Sequence, residues 1–279
     1  MKSGFCCPVC QAAMEQEDCG LRCSSGHVFD RAREGYVNLL PANQKHSKDP
    51  GDDRQMVRAR SLFLDHGCYE PLRKKLCELA AEAVRDREDP LLLDAGCGEG
   101  YYTSALAAQM RVLGVDLSKA AVKKAAKRCR GTGAEIAVAS CYRLPVEDAS
   151  VDVLVDCFSP LAVGEFRRVL RPGGTFLYVI PGPRHLWELK QVLYDRPYEN
   201  ELRTEQYPGF VLQEEIPVET NFTLDTPELI RALYHMTPYT WKTPKDGAAR
   251  LEQLDSLTVQ AQFRICRYLA TDVDNKEAL

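Results

Sequence analysis

No stretch of this chain approaches the ~20 consecutive apolar residues that a membrane span requires. Its first residues, Met1-Lys2-Ser3-Gly4-Phe5-Cys6-Cys7, lack the apolar core of a secretory signal, so a cytoplasmic protein is expected. Internal repeats and low-complexity tracts are missing as well, which excludes solenoids and disordered interaction tails. Nor is positive charge in excess. The 36 Lys and Arg against 40 Asp and Glu leave a net charge of −4. That excludes a protein that coats nucleic acid through bulk charge, though not a local basic patch. Residues 31–60 are a candidate patch, with Arg31, Arg33, Lys45, Lys48, Arg54, Arg58 and Arg60 against four acidic residues.

What is present is cysteine. Twelve cysteines in 279 residues fit a reducing compartment with metal ligands or inert thiols better than a disulfide scaffold. The length suits one large domain with a smaller companion. Residues 1–37 carry cysteine and glycine with little helical periodicity, and 38–52 read as a polar connector. Helical spacing follows over 53–66 and from Pro71 to Arg87. From residue 90 strands and helices alternate. Strands are expected at 91–94, 112–116, 135–139, 152–157 and 175–180, and helices near 102–109, 118–128 and 162–169. Such alternation implies a parallel sheet with right-handed crossovers. A helix over 186–193, β-like runs at 211–219 and 257–265, and a helix over 227–235 complete the pattern. The expected division is a module at 1–37, connector and helices at 38–88, and a main domain at 89–279.

The apolar run Leu91-Leu92-Leu93 enters Asp94-Ala95-Gly96-Cys97-Gly98-Glu99-Gly100, and helical residues Tyr101-Tyr102-Thr103 follow. A buried strand that runs into a glycine-rich turn and a helix N-terminus builds a nucleotide-type pocket. The spacing is G-x-G-x-G rather than the G-x-G-x-x-G of dinucleotide folds, which favours a different ligand. Asp116 ends the second strand, where a carboxylate can accept both ribose hydroxyls. A competing role is the N-cap of the next helix, a task that Ser118 can take instead. The third strand ends in Ala139-Ser140-Cys141-Tyr142-Arg143-Leu144-Pro145, a natural place for adenine contacts. Val169-Leu170-Arg171-Pro172-Gly173-Gly174-Thr175 reads as the turn before the fifth strand. Together these signals resemble the class I S-adenosylmethionine-dependent methyltransferases over about residues 90–180. The implied fold is α/β, a Rossmann-like, doubly wound, mostly parallel seven-stranded sheet.

A metal site is legible separately. Cys7-Pro8-Val9-Cys10 is followed after twelve residues by Cys23-Ser24-Ser25-Gly26-His27. A C-x2-C knuckle paired with C-x3-H offers four soft or borderline ligands, the set that suits a closed, structural tetrahedral zinc. So short a segment has little core of its own, so metal would supply most of its folding energy. Cys7 rather than Cys6 gives the usual gap to Cys10, and Cys19 reads as a free thiol.

A zinc knuckle ahead of a methyltransferase domain narrows the choice. Phe29-Asp30-Arg31-Ala32-Arg33-Glu34-Gly35-Tyr36-Val37-Asn38-Leu39-Leu40-Pro41, Ser47-Lys48-Asp49-Pro50-Gly51-Asp52, Tyr69-Glu70-Pro71-Leu72, Pro181-Gly182-Pro183-Arg184-His185-Leu186 and His235-Met236-Thr237-Pro238 occur in order. In that order the chain resembles, essentially end to end, the bacterial 23S ribosomal RNA (guanine-N1) methyltransferases. The resemblance implies zinc on Cys7, Cys10, Cys23 and His27, and S-adenosylmethionine contacts at Tyr69, Tyr102, Thr103 and His185. Asp94, Gly96, Gly98, Gly100, Asp116 and Leu144 complete the expected cofactor set. It further implies a guanine in a hairpin loop of the large-subunit RNA as substrate, a homodimer whose zinc modules border an RNA cleft, and, for some members, macrolide-type resistance.

Base-modifying enzymes favour unstacked loop nucleotides, which are cheaper to extrude. Phe29, Tyr36, Tyr239 and Trp241 are candidate stacking residues, against core packing as the commoner use. Guanine N1 carries a proton, so a base is expected to assist. Asp156, in Asp156-Cys157-Phe158-Ser159-Pro160 after strand four, is the candidate, with His185 or Glu188 as substitutes. The competing class is a methyltransferase acting on a small molecule, which residues 90–180 alone do not exclude.

Overall fold

The computed structural model describes residues 2–41, 51–202 and 206–271. The expected motif residues Ser47 to Pro50, and Lys45 of the basic stretch, lie outside them.

The N-terminal module is an antiparallel sheet of four short strands in sequence order: β1 (Lys2–Cys6), β2 (Ala13–Glu17), β3 (Gly20–Cys23) and β4 (Val28–Asp30). The two ligand-bearing turns follow β1 and β3. The module does not rest on a core of its own. Phe5, Met14 and Leu21 join one apolar cluster with Leu113, Val115 and Ala137 of the main sheet. Ser3 Oγ and Gly4 N–H both donate to the Glu135 carboxylate, at 2.5 and 2.9 Å. The expectation that metal supplies most of this segment's folding energy is therefore moderated, because neighbouring apolar surface supplies part of it.

The main sheet has eight strands in the order β11-β12-β10-β9-β6-β7-β8-β5. Five form its parallel centre: β6 (Leu91–Ala95), β7 (Arg111–Asp116), β8 (Ala134–Val138), β9 (Val151–Cys157) and β10 (Leu170–Pro181). Their near-continuous apolar sequences suit strands covered on both faces. β11 (Phe210–Leu224) and β12 (Leu257–Ala270) form a long antiparallel ribbon attached through β12 to β10. The eighth strand, β5 (Val37–Asn38), pairs in parallel with β8 and ties the end of the module to the sheet edge. Sequence patterning does not reveal it, since two residues carry no periodicity. The turn expected at 169–175 is absorbed into β10 as an irregularity between Leu170 and Thr175.

Helices form where caps and apolar stripes coincide. Asp53 caps α1 (Arg54–Asp65), its Oδ1 accepting from Gln55 N and Met56 N. α2 spans Glu70–Ala83, with Pro71 in its first turn. α3 (Tyr101–Leu106) and α4 (Lys119–Arg128) are the crossovers from β6 and β7. α5 (Val163–Val169), α6 (Trp187–Leu193), α7 (Pro227–His235) and α8 (Lys245–Glu252) follow. Strand order reverses between β6 and β9, so the crevice at their carboxyl ends is where such a sheet binds ligands.

Candidate active site and metal centre

That crevice is a cavity of about 1250 Å³. Its floor is the turn after β6, where Gly96 N–H and Cys97 N–H donate to Val115 O at 2.8 and 2.9 Å. Gly96 has φ +87°, and a Cβ there would lie 2.2 Å from Ser159 Cβ. Gly98 differs: a Cβ there would meet nothing within 4 Å, so its backbone borders open space in the cavity. A ligand can approach the main chain at that point.

Asp116 lines the cavity. Its Oδ2 accepts from Gly98 N at 3.0 Å and its Oδ1 from Ser118 N at 2.7 Å. Ser118 caps α4, accepting from Ala121 N at 3.2 Å. Asp116 is thus spared the capping role but is not free: it ties the glycine turn to the start of α4. Each carboxylate oxygen keeps further acceptor capacity for hydroxyl donors. Burial raises its pKa, and the Ser118 and Gly98 N–H groups pull it back.

Tyr69, Gly96, Gly98, Tyr102, Asp116 and His185 of the expected cofactor set line the cavity. Asp94, Gly100, Thr103 and Leu144 lie behind it. Thr103 Oγ1 donates to Asp94 Oδ2 at 2.6 Å, a buried clamp between β6 and α3. Burial lifts the Asp94 carboxyl to about 7 despite that bond. Leu144 is core, and its N–H donates to Glu165 Oε2 at 2.7 Å.

His185 Nδ1 lies 2.7 Å from the Gln262 carbonyl oxygen. A carbonyl only accepts, so Nδ1 carries the hydrogen and Nε2 is left as an acceptor. Burial lowers the imidazole pKa to about 4, so the ring is neutral at physiological pH.

Asp156 sits differently from the expected base. Cys157 lines the cavity and Asp156 does not, as alternation along a strand requires. Asp156 is 0% exposed, and burial raises its carboxyl to about 7. Its Oδ1 accepts from Ser159 N at 3.0 Å and lies 2.8 Å from Ser159 Oγ. Ser159 Oγ in turn lies 2.6 Å from Ala95 O. One hydroxyl hydrogen cannot serve two acceptors. The Ser159 hydroxyl donates to Ala95 O, its shorter contact, while the Ser159 N–H holds Asp156 Oδ1. Glu188, the other substitute, accepts from Gln260 N at 3.0 Å in a structural role.

The remaining walls come from residues far apart in sequence. Met56, Arg60 and Leu64 project from α1, and the segment Met236 to Trp241 follows α7. Arg60 pairs with Asp52 and also reaches Met236 O at 3.4 Å. Tyr239 and Trp241 line the cavity, as stacking candidates should, whereas Phe29 and Tyr36 pack in the core. Phe158, which the sequence did not single out, also lines the cavity; it is half exposed, with φ +59°. Non-glycine residues adopt that conformation at a cost and concentrate at functional sites. The chain signal for Met56 and Arg60 is a plain helix stripe, so only packing reveals them.

In the module, the ligand atoms of Cys7, Cys10, Cys23 and His27 all lie within 4.8 Å of one another. Cys10 Sγ is 3.7 Å from Cys23 Sγ, and His27 Nδ1 is 3.6 Å from Cys7 Sγ and 3.3 Å from Cys23 Sγ. Around a tetrahedral zinc, Zn–S near 2.3 Å and Zn–N near 2.0 Å give edges of about 3.8 Å for S–S and about 3.5 Å for S–N. The cluster fits that ion. The Ala12 N–H, aided by Ser25, lowers the Cys10 thiol to about 6, towards the thiolate a metal needs. Cys6 and Cys19 stand outside the group, as the spacing indicates.

Comparison with known proteins agrees with both halves. The family model for the RlmA N-terminal zinc ribbon matches residues 5–48, and a methyltransferase-domain model matches 93–178. The Bacillus subtilis YcgJ protein superposes with TM-score 0.50 at 18% identity, covering 70% of this chain and 98% of that one. A provisionally named type II methyltransferase of Anaeromyxobacter dehalogenans gives 0.51 at 24%, covering 71% and 95%. These support the class I fold. The 23S rRNA (guanine(748)-N(1))-methyltransferase of Streptomyces fradiae is 34% identical over 94% of this chain and 96% of its own length. A provisionally named 23S rRNA (guanine-N1)-methyltransferase of Micromonospora griseorubida is 36% identical with the same coverage. The chain therefore belongs to the zinc-ribbon 23S rRNA (guanine-N1)-methyltransferase family.

Proposed function

We propose that this protein transfers a methyl group from S-adenosylmethionine to N1 of a guanine in a hairpin loop of 23S ribosomal RNA. The observation that carries the reading is the union, in one chain, of a tetrahedral Cys3His cluster and a cavity of about 1250 Å³. Ordinary small-molecule pockets occupy roughly 300–1,000 Å³, so there is room for a cofactor and an extruded base together. Full-length similarity to named relatives supports the same acceptor.

S-adenosylmethionine supplies an activated methyl on sulfur. The chain's part is to bind and orient. Gly96 and Gly98 present backbone to the cofactor, Asp116 takes the ribose hydroxyls, and Tyr69, Tyr102 and His185 hold its amino-acid end, His185 Nε2 as an acceptor. Asp94, Thr103 and Gly100 fix the turn from behind, and Leu144 backs the adenine-side loop. Phe158, Tyr239 and Trp241 supply aromatic surface for the guanine. Much of the rate comes from alignment. Asp156 acts as a positioning residue through Ser159 rather than as the base.

Zinc on Cys7, Cys10, Cys23 and His27 is structural: all four protein ligands are present, leaving no open position. Residues 1–37 form the zinc module, 38–88 the connector and helices, and 89–279 the transferase domain. We place the enzyme in the cytoplasm as a homodimer; the long edge strand β11 offers a surface for a second copy. Among the described residues no helix is long and apolar enough to cross a membrane. Macrolide-type resistance is the cellular consequence to assay.

The test is primer extension on 23S RNA from cells with and without the gene. N1 methylation blocks the Watson–Crick edge, so a stop at one hairpin-loop guanine must appear with the gene and vanish without it. RNA with no gene-dependent stop would refute the assignment.

A further inference from the structure

The chain is net acidic, yet one face concentrates the opposite charge. Helix α4 (Lys-Ala-Ala-Val-Lys-Lys-Ala-Ala-Lys-Arg) holds no acidic residue. Lys119, Lys123, Lys127 and, just beyond it, Arg130 are all exposed. Their spacing of four, four and three residues puts them on one stripe, about 16 Å long at the helical rise. α1 lies alongside and runs in the same direction. Ser118 Oγ donates to Asp52 O at 2.6 Å, Lys124 Nζ to Ser61 Oγ at 2.9 Å, and Arg128 pairs with Asp65 at 2.8 Å. On α1, Arg54 and Arg58 are exposed one turn apart on the same side as Ser61 and Asp65.

Nearby acids are already engaged. Glu34 pairs with Lys123 at 3.0 Å, Asp65 with Arg128, Asp52 with Arg60, and Asp53 caps α1. No ion pair among the described residues involves Arg54, Arg58, Lys119, Lys127 or Arg130. The stripe also has two defined ends. It starts where Asp116 and Leu117 line the cavity, and its flank meets the end of the zinc module, where Tyr36 and the connector residue Leu40 share an apolar cluster with Val122 and Ala125. A face that merely needed to be solvated would not require five unpaired cations of one sign leading to a cavity mouth.

We propose that α4 and the adjoining face of α1 form a rail for the RNA phosphate backbone, between the zinc module and the cavity, with Lys119, Lys127 and Arg130 as its principal contacts and Arg54 and Arg58 as its second row. This deepens the proposed function and rests on it for the identity of the polyanion. The rail reads charge rather than sequence, so it positions the hairpin without selecting the base.

The experiment compares the zinc-loaded full chain with Lys119→Ala/Lys127→Ala/Arg130→Ala, and with Arg85→Ala/Arg87→Ala as a control. Arg85 and Arg87 are exposed at the opposite end of the sheet, just before β6. The probe is an unmodified 23S rRNA hairpin transcript, and the readouts are RNA affinity across a salt series, S-adenosylmethionine affinity and methyl transfer. The triple variant is expected to bind RNA at least about tenfold more weakly, with the slope of log K against log salt reduced by about 2–3. Its cofactor affinity should stay at the wild-type value, and the control should match wild type throughout. A triple variant with wild-type RNA affinity and salt slope overturns the rail, even where methylation is normal. A wild-type enzyme that binds the hairpin through these residues yet methylates no RNA overturns the functional reading while the rail stands.

Discussion

Ser159 fills the space that Gly96 leaves empty. Its Cβ lies 2.2 Å from where a Gly96 Cβ would stand, and its hydroxyl donates to the Ala95 carbonyl at 2.6 Å. The loop after β9 is thereby locked to the cofactor turn after β6, the two segments that must bring acceptor and donor together. Gly96→Ala is expected to abolish measurable S-adenosylmethionine binding, because the new methyl meets Ser159 and φ +87° strains any L side chain. Gly96→Ala/Ser159→Gly should regain part of that binding, since the clash is gone and only the strain persists. Calorimetric titration of both variants checks this; equal losses in the two would show that the contact is not the cause.

Asp156 separates a strut from a base. Asparagine keeps an oxygen that accepts from Ser159 N–H and cannot ionise, which is what a strut at this buried position requires. Asp156→Asn is therefore expected to keep turnover to within roughly threefold, less than 1 kcal/mol of barrier. Loss of a true general base costs roughly 100-fold or more, and single-turnover rates would show it at once.

The same carboxyl predicts a pH effect. Its folded pKa of about 7 lies above the ordinary aspartate value of 3.8, so the folded state binds the proton more tightly. Its stabilising contribution is complete below the unfolded value and is lost as pH rises through about 7. Wild type should lose stability relative to Asp156→Asn between pH 4 and 8. Denaturant titrations at several pH values measure the difference, and a constant difference would contradict the buried, protonated form.

His185→Ala is expected to weaken S-adenosylmethionine binding about tenfold, the ~1.4 kcal/mol of one hydrogen bond to the neutral Nε2. The folded imidazole pKa near 4 means that binding should not change between pH 6 and 8 on account of this residue. Titration of the cofactor across that range is the check, and a step near pH 6.5 would point to a solvated ring.

Cys10→Ser should release zinc and impair RNA methylation while cofactor affinity survives. The sheet keeps its own core, and Phe5 and Met14 remain able to pack on Leu113 and Val115. Metal analysis alongside calorimetry reads both effects; full zinc occupancy in this variant would displace Cys10 from the ligand set.

Local signals made much of this fold legible. The Leu91–Leu93 run, the G-x-G-x-G turn and the capping residues each act within a few positions. The zinc ligands were readable because tetrahedral chemistry fixes residue type and spacing. What escaped depends on packing between distant segments. Met56 and Arg60 reach the cavity only because α1 lies near the end of α7, and Phe158 reaches it through a backbone turn. Asp156 and Thr103 have the right types in the right places, but strand and helix alternation turns them away. The module strands β1–β4 are too short for periodicity, and Gly247 within α8 reads as a breaker.

The most direct test is methyl transfer from labelled S-adenosylmethionine to unmodified 23S RNA, followed by mass spectrometry of the nucleosides. The account predicts N1-methylguanosine confined to one hairpin loop. Label in another nucleoside, or none in RNA from an enzyme that binds zinc and cofactor, would contradict it.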